Sequence, residues 1–244
     1  MVTWKGVKIA DAGFLINLDE RTDRLLESQK ELSKNEISGV ERFSAIKITK
    51  DSDEGWIIRG CTHSHIEILK KQIENNWQKK IIFEDDFYFE ICGGNQDYQF
   101  NENSIDMIYK SDFDCLFLGV RLKEPTKFHS ENLIIPKSLN QTHCYLTSLN
   151  FAKFVVENFN YLDKESIVYG EQIDTFYSVL ASKNHWKMDN PHKDSDVLLK
   201  NNLKIYSHYP VLFNQRPSFS NITNREESFN LYNCYLNKKN YPKI

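Results

Sequence analysis

The chain lacks a strong charge of either sign: 31 basic residues stand against 34 acidic ones, a net of −3 over 244 residues. Such a balance offers no polyanion-binding surface, so no nucleic-acid partner is expected. Paired cysteines are missing as well. Cys61, Cys92, Cys115, Cys144 and Cys234 are scattered, odd in number and form no C-x-x-C pair. Neither a disulfide framework nor a zinc site is indicated, and a reducing, cytoplasmic setting is expected. No apolar run approaches the roughly 20 residues of a membrane-crossing helix. Met1 to Gly6 lacks the basic and apolar regions of a signal peptide. Repeats and low-complexity tracts are absent. A chain of this length can bury one substantial core, and one domain is the default.

What the chain does have is the stretch Lys79-Lys80-Ile81-Ile82-Phe83-Glu84-Asp85-Asp86-Phe87. An apolar run of strand length ends abruptly in three adjacent carboxylates. In open α/β sheets, ligands bind outside the carboxyl ends of the strands, so these acids would be delivered to a ligand. Acids so close repel one another unless a cation or hydrogen-bond donors compensate. All-oxygen ligands suit a hard divalent ion such as Mg²⁺ or Mn²⁺. An acidic turn that merely caps a strand fits these residues equally well.

The other elements read as an alternation of strands and helices. Phe14 to Leu18 is a strand buried on both faces. Asp19 is expected to cap a helix from Arg21 to about Ser33. Arg21 and Arg24, three apart, share one side of its first turn and suit a phosphate there, or else pair with Glu20 or Asp23. Val40 to Ile46 is a second strand. Gly60 is expected to open a helix running from about Thr62 to Trp77, with His63-Ser64-His65 in its first turn. The two histidines are two apart and so do not face one metal. Further on, Cys115 to Gly119 is a buried strand with Arg121 just past its end, and residues 122–142 read as a loop or hairpin over the sheet's carboxyl edge. His143 to Thr147 is a strand, and Ser148 caps a helix to about Phe159. Gly170 opens another, where Glu171 and Asp174 look into a cleft or simply favour the helix dipole. Leu203–Tyr206 and Pro210–Phe213 are short strands, and residues 225–244 form an aromatic and charged tail packed on a domain of residues 1–224.

Three blocks, in order, resemble glycosyltransferase family 25, the family of lipooligosaccharide and collagen hydroxylysine galactosyltransferases. Phe14 to Arg24 is similar to its opening "INLxxRxxR" strand and turn. Gly60-Cys61-Thr62-His63-Ser64-His65, followed by Glu84-Asp85-Asp86, is similar to its "GCxxSH … EDD" core. Gly170 to Phe176 matches the region of a helix-opening Asp, and Pro210 to Ile222 resembles its closing segment. One departure is Ser220-Asn221, where the family usually carries Ser-Asp.

The resemblance implies a single-domain α/β fold of GT-A type, a Rossmann-like, mostly parallel sheet flanked by helices. It implies inverting transfer of a hexose, galactose or glucose, from a UDP-sugar donor, with Mn²⁺ or Mg²⁺ as cofactor. The acceptor would be a hydroxyl of a glycan, a lipid-linked oligosaccharide or a hydroxylysine. Asp86 is the chief expected metal ligand, with Asp85 and Glu84 beside it. Asn17, Arg21, Arg24, Ser64, His65 and Glu84 form the expected nucleotide-sugar shell, and Arg121 meets a phosphate or acceptor anion. Asp174 is the expected general base, with Glu171 the alternate. The chain looks like a stand-alone bacterial or viral member. Two rivals remain from the residues themselves: a metal-dependent hydrolase, and a nucleotide-sugar-binding module that has lost catalysis.

Overall fold

A computed structural model describes residues 1–48, 54–92, 99–122, 127–130, 132–136, 139–159, 172–182, 201–216, 218–220 and 225–227. The strand-and-helix alternation condenses into one eight-stranded sheet. Its strands are β3 (Ala12–Asn17), β5 (Val40–Ser44), β6 (Lys79–Glu84), β8 (Cys115–Leu122), β9 (Lys127–Ser130), β10 (Leu133–Ile135), β11 (Leu139–Ser148) and β12 (Ile205–His208). Their order across the sheet is β5-β3-β6-β11-β8-β12-β10-β9. Strands β5, β3, β6, β8, β12 and β9 point one way, while β11 and β10 are the antiparallel members. The sheet is mostly parallel, as expected.

Side-chain alternation along β6 divides the core in two. Ile82 enters one cluster with Phe14, Ile66, Leu69, Phe117, Tyr145, Phe151 and Tyr177. Ile81 and Phe83 enter the other with Leu15, Leu116, Leu146, Phe213 and Trp4. Burying a side chain such as Phe83 stabilises the fold by about 1.5–3 kcal/mol. The first cluster is closed by α2 (Glu54–Glu74), α4 (Leu149–Asn158) and α5 (Ile173–Ser182), and α3 (Glu102–Lys110) adds Ile105 and Ile108 to the second. Alternation carries Glu84 to the same side as Ile82, toward α2 and α5.

Several boundaries differ from the sequence reading. Helix α1 spans Thr22–Lys34, but Arg21 is its N-cap residue and no side chain caps it. Asp19 instead accepts bonds from Arg42 and Ser44. Helix α2 starts at Glu54, so Gly60 is interior and His63-Ser64-His65 lies well past the first turn. Gly60 is needed for space rather than for opening a helix: a Cβ there would stand 2.4 Å from the Ile46 carbonyl oxygen. Gly60→Ala is therefore expected to lower stability by about 1–3 kcal/mol, measured by urea unfolding, because the obstructing atom is backbone. Trp77 lies beyond the helix yet packs on Phe14, with ring centroids 5.9 Å apart. Ser148 caps α4 as expected, its hydroxyl accepting the Phe151 N–H at 3.0 Å.

Three smaller sheets were not foreseen. Strands β1 (Val2–Trp4), β2 (Val7–Ala10) and β4 (Ile37–Ser38) form one. Strand β7 (Phe87–Cys92) leaves the acid row and pairs antiparallel with β13 (Val211–Gln215). That pairing brings a distant segment of the chain against the carboxylates. The stretch 122–142 contributes the β9–β10 hairpin, but the hairpin extends the sheet sideways beyond β12 rather than covering its carboxyl edge. Strands β14 (Ser218–Ser220) and β15 (Arg225–Glu227) pair across position 224, the expected start of the tail. Residues 228–244 of that tail lie outside the described residues.

His208, at the end of β12, is fully enclosed and donates Nδ1–H to the Pro210 carbonyl oxygen at 2.7 Å. Burial pulls its pKa from the ordinary 6.5 to about 4. Below about pH 6.5 the unfolded chain takes up a proton that the folded chain refuses until about pH 4, so stability falls as pH falls through that window. His208→Asn keeps a donor in place and removes the titration. It is expected to flatten the stability–pH slope there by up to about 1.4 kcal/mol per pH unit, read from denaturant unfolding at several pH values.

Candidate active site

The acid row sits where β6 leaves the sheet, and each acid is held differently. Asp85 is nearly enclosed: its Oδ2 accepts Asn17 Nδ2–H at 2.7 Å and its Oδ1 accepts Arg24 Nη1–H at 2.9 Å. Its backbone oxygen takes the Ser28 hydroxyl at 2.7 Å and Arg216 Nη2–H at 2.8 Å. Asp86 is also buried, and its Oδ2 accepts Gln215 Nε2–H at 2.7 Å and the same Arg24 nitrogen at 3.4 Å. Its Oδ1 is buried without a hydrogen-bond donor among the described residues. Arg24 thus bridges the two aspartates and offsets their repulsion from the first turn of α1.

Glu84 points the other way. Its Oε1 lies 3.2 Å from His65 Nε2, and His65 Nδ1 lies 2.7 Å from the Tyr145 hydroxyl. Tyr145 in turn meets the Tyr177 hydroxyl at 3.3 Å. Burial, then the charges of Asp86, Asp174 and Asp85, push the Glu84 carboxyl well above its ordinary range, against the opposing pull of Arg24. Burial and Asp86 likewise raise Asp85, while Arg24 and Asn17 hold it down. The common cause is negative charge accumulated in a space that water does not fully screen. Burial also keeps the His65 imidazole neutral, with a pKa of about 3.

Asp174 stands in the first turn of α5. Its Oδ1 accepts the Thr175 N–H at 2.7 Å and its Oδ2 the Gln141 N–H at 3.1 Å. Both bonds orient the carboxylate. It lies within electrostatic reach of Glu84 and of the Cys61 thiol. The strand-end acids and the acid in the first turn of α5, almost ninety positions apart in sequence, are thus brought near one another by the fold.

The expected shell is only partly assembled. Asn17 and Arg24 contact the acids, and His65 contacts Glu84 from behind. Arg21 forms a two-pronged pair with Asp23, at 3.0 and 2.8 Å. Ser64 is committed to the fold: its hydroxyl donates to the Gly60 oxygen and accepts the Ile46 N–H, both at 2.8 Å. Arg121 lies inside β8, opposite Asn140, rather than past the strand's end. Glu171 lies outside the described residues.

Four contributors were missed. Gln215 and Arg216 arrive on β13 and its exit, Ser28 from the inner face of α1, and Arg42 from β5, where it donates to Asn17 Oδ1 at 3.0 Å. Gln215 belongs to the closing segment already noted for its resemblance, which was the available signal. The others carry no local pattern.

Residues 58–176 match the sequence model of glycosyltransferase family 25, described as LPS biosynthesis protein. Lipooligosaccharide biosynthesis protein lex-1 of Haemophilus influenzae is 31% identical over 122 residues, 45% of this chain and 39% of that protein. The aligned part thus spans well under half of that relative. Among solved structures, a glycosyltransferase involved in the glycosylation of the major capsid of PBCV-1 aligns with a TM-score of 0.40 at 12% identity, over 84% of this chain and 92% of that one. A197 from STIV aligns with a TM-score of 0.39 at 9% identity, over 80% of each chain. The motif order and the matched segment agree: residues 58–176, just under half of the chain, are similar to glycosyltransferase family 25.

Proposed function

We propose that this protein is an inverting glycosyltransferase that moves a hexose, galactose or glucose, from a UDP-sugar to a hydroxyl of a glycan, lipid-linked oligosaccharide or hydroxylysine acceptor. The observation that carries the reading is the buried, donorless Oδ1 of Asp86 at the carboxyl end of β6. A buried carboxylate oxygen without a partner is costly, and a cation is what it lacks. Mn²⁺ or Mg²⁺ fits that atom, with Asp86 as chief ligand. Both Asp85 oxygens are taken by Asn17 and Arg24, which makes Asp85 the acid that orients its neighbour. When bound, such an ion offsets the charge that develops on a departing diphosphate, worth several kcal/mol of barrier.

The chain's own residues supply the rest. Arg24 holds Asp85 and Asp86 in register, and Gln215 fixes Asp86 from the opposite side. An acceptor hydroxyl placed between Asp174 and the sugar attacks the anomeric carbon. The carbon–oxygen bond to UDP breaks with its electron pair leaving on the β-phosphate, and the hydroxyl proton passes to an Asp174 carboxylate oxygen. Glu84 is turned toward His65, its Oε1 3.2 Å from Nε2, and takes no part in that proton transfer.

The test is incubation with UDP-galactose, UDP-glucose and Mn²⁺, measuring UDP release with and without a glycan acceptor. Acceptor-dependent UDP release is expected. Tight UDP binding without turnover would mean a binding module, and phosphodiester cleavage without use of UDP-sugar would mean a hydrolase.

A further inference from the structure

A second group of potential ligands stands on the α2 side of the acid row. Cys61, His65 and Glu84 each offer one ligand atom, and these atoms all lie within 4.8 Å of one another. Cys61 and His65 are four apart on α2, so they rise from one face of that helix, and Glu84 approaches from the last position of β6. Zinc holds sulfur at about 2.3 Å and nitrogen or oxygen at about 2.0–2.2 Å, which sets tetrahedral ligands about 3.3–3.8 Å apart. The present span of 4.8 Å or less is therefore about 1–1.5 Å wider at most than a closed tetrahedral site.

Three further observations support it. The His65 ring is oriented from its far side by the Tyr145 hydroxyl at 2.7 Å, the kind of outer partner that metal-binding histidines carry. On the other side of the ring, His65 Nε2 faces Glu84 Oε1 at 3.2 Å, so two of the three ligand atoms already point at one another. The turn that presents Cys61 and His65 is also fixed rigidly. Gly60 lets α2 approach the Ile46 carbonyl, and Ser64 bonds the Ile46 N–H and the Gly60 oxygen.

We infer that Cys61 Sγ, His65 Nε2 and Glu84 Oε1 form a site for a borderline-soft divalent ion of the zinc class, separate from the hard-ion position at Asp86. Thiolate and imidazole prefer such ions to Mg²⁺ or Mn²⁺. Three protein ligands leave a fourth position open, and both Cys61 and Glu84 retain some exposure through which it can be reached. Binding releases the Cys61 thiol proton to solvent, so the thiolate forms the bond to the metal and no redox change occurs. The separation of Cys61 from other cysteines in sequence had argued against such a site; folding supplies the partners that spacing did not.

The probe is Co²⁺ alone, added to full-length protein freed of metal by chelation. One equivalent is expected to produce a thiolate-to-cobalt charge-transfer band in the near ultraviolet. Cys61→Ser should abolish the band and weaken binding by at least about 100-fold, while Tyr145→Phe should weaken it by about 10–100-fold with the band retained. Protection of Cys61 from alkylation by Zn²⁺, mapped by peptide mass in the unaltered protein, gives the same answer if Cys61→Ser does not fold. No band in the unaltered protein, a band that survives Cys61→Ser, or no protection of Cys61 would overturn the site. Asp86→Ala should leave the band unchanged, so failure here and failure of the UDP-sugar reading are told apart.

Discussion

Asp86→Ala is expected to lower Mn²⁺-dependent UDP-hexose transfer by at least about 10³-fold in kcat/KM, since several kcal/mol of charge stabilisation are lost at about 1.4 kcal/mol per decade. The fold should survive. Asp86 loses two side-chain bonds, from Gln215 and Arg24, but its backbone oxygen still accepts the Arg216 N–H, and Arg24 still has Asp85. Removing the carboxylate also removes one of the charges that raise Glu84 and Asp85, which partly compensates for the lost contacts. UDP release assayed across Mn²⁺ concentrations, with thermal unfolding as the control for folding, decides it. Near-normal turnover by Asp86→Ala, or by the unaltered protein in chelator, would refute the metal role.

Asp174→Asn is expected to cut transfer by about 10²–10⁴-fold, the range of general-base assistance, while leaving UDP affinity close to normal. Asparagine preserves an acceptor for the Thr175 N–H and most of the shape of the α5 turn. It cannot take up the acceptor's proton. The two aspartates thus separate in kinetics: Asp86→Ala should weaken UDP binding in the presence of Mn²⁺, whereas Asp174→Asn should spare it. A rate unchanged by Asp174→Asn and lost with Glu171→Gln would move the base to Glu171.

Much of this arrangement was legible beforehand because it is local. A continuous apolar run followed by Glu84-Asp85-Asp86 announces a buried strand with acids at its end, and β6 is that strand. Ser148 before an amphipathic stretch announces a cap, and it caps. Other features misled for physical reasons. Gly60 resembles a helix boundary because glycine commonly marks one, but here it yields room for a neighbouring carbonyl that lies fourteen positions away. Asp19 has the chemistry of a cap, but Arg42 and Ser44 compete for it from an adjacent strand. His65 belongs to a motif read as nucleotide-binding, yet its ring is buried between Tyr145 and Glu84.

By itself the sequence determined the strand that carries the acids, the arginine in the first turn of α1, a helix with Asp174 near its start (the Gly170 expected to open it lies outside the described residues) and the family resemblance of the central segment, all of them set by neighbours along the chain. Only the tertiary structure decided which oxygen of which acid is left without a donor. Asp85 is satisfied at both oxygens by Asn17 and Arg24, whereas Asp86 is met at Oδ2 only, by Arg24 and by a Gln215 brought in through a β7–β13 pairing that joins residues more than a hundred positions apart. Partners at such separation are selected by burial and register, quantities that exist only once the chain has closed on itself.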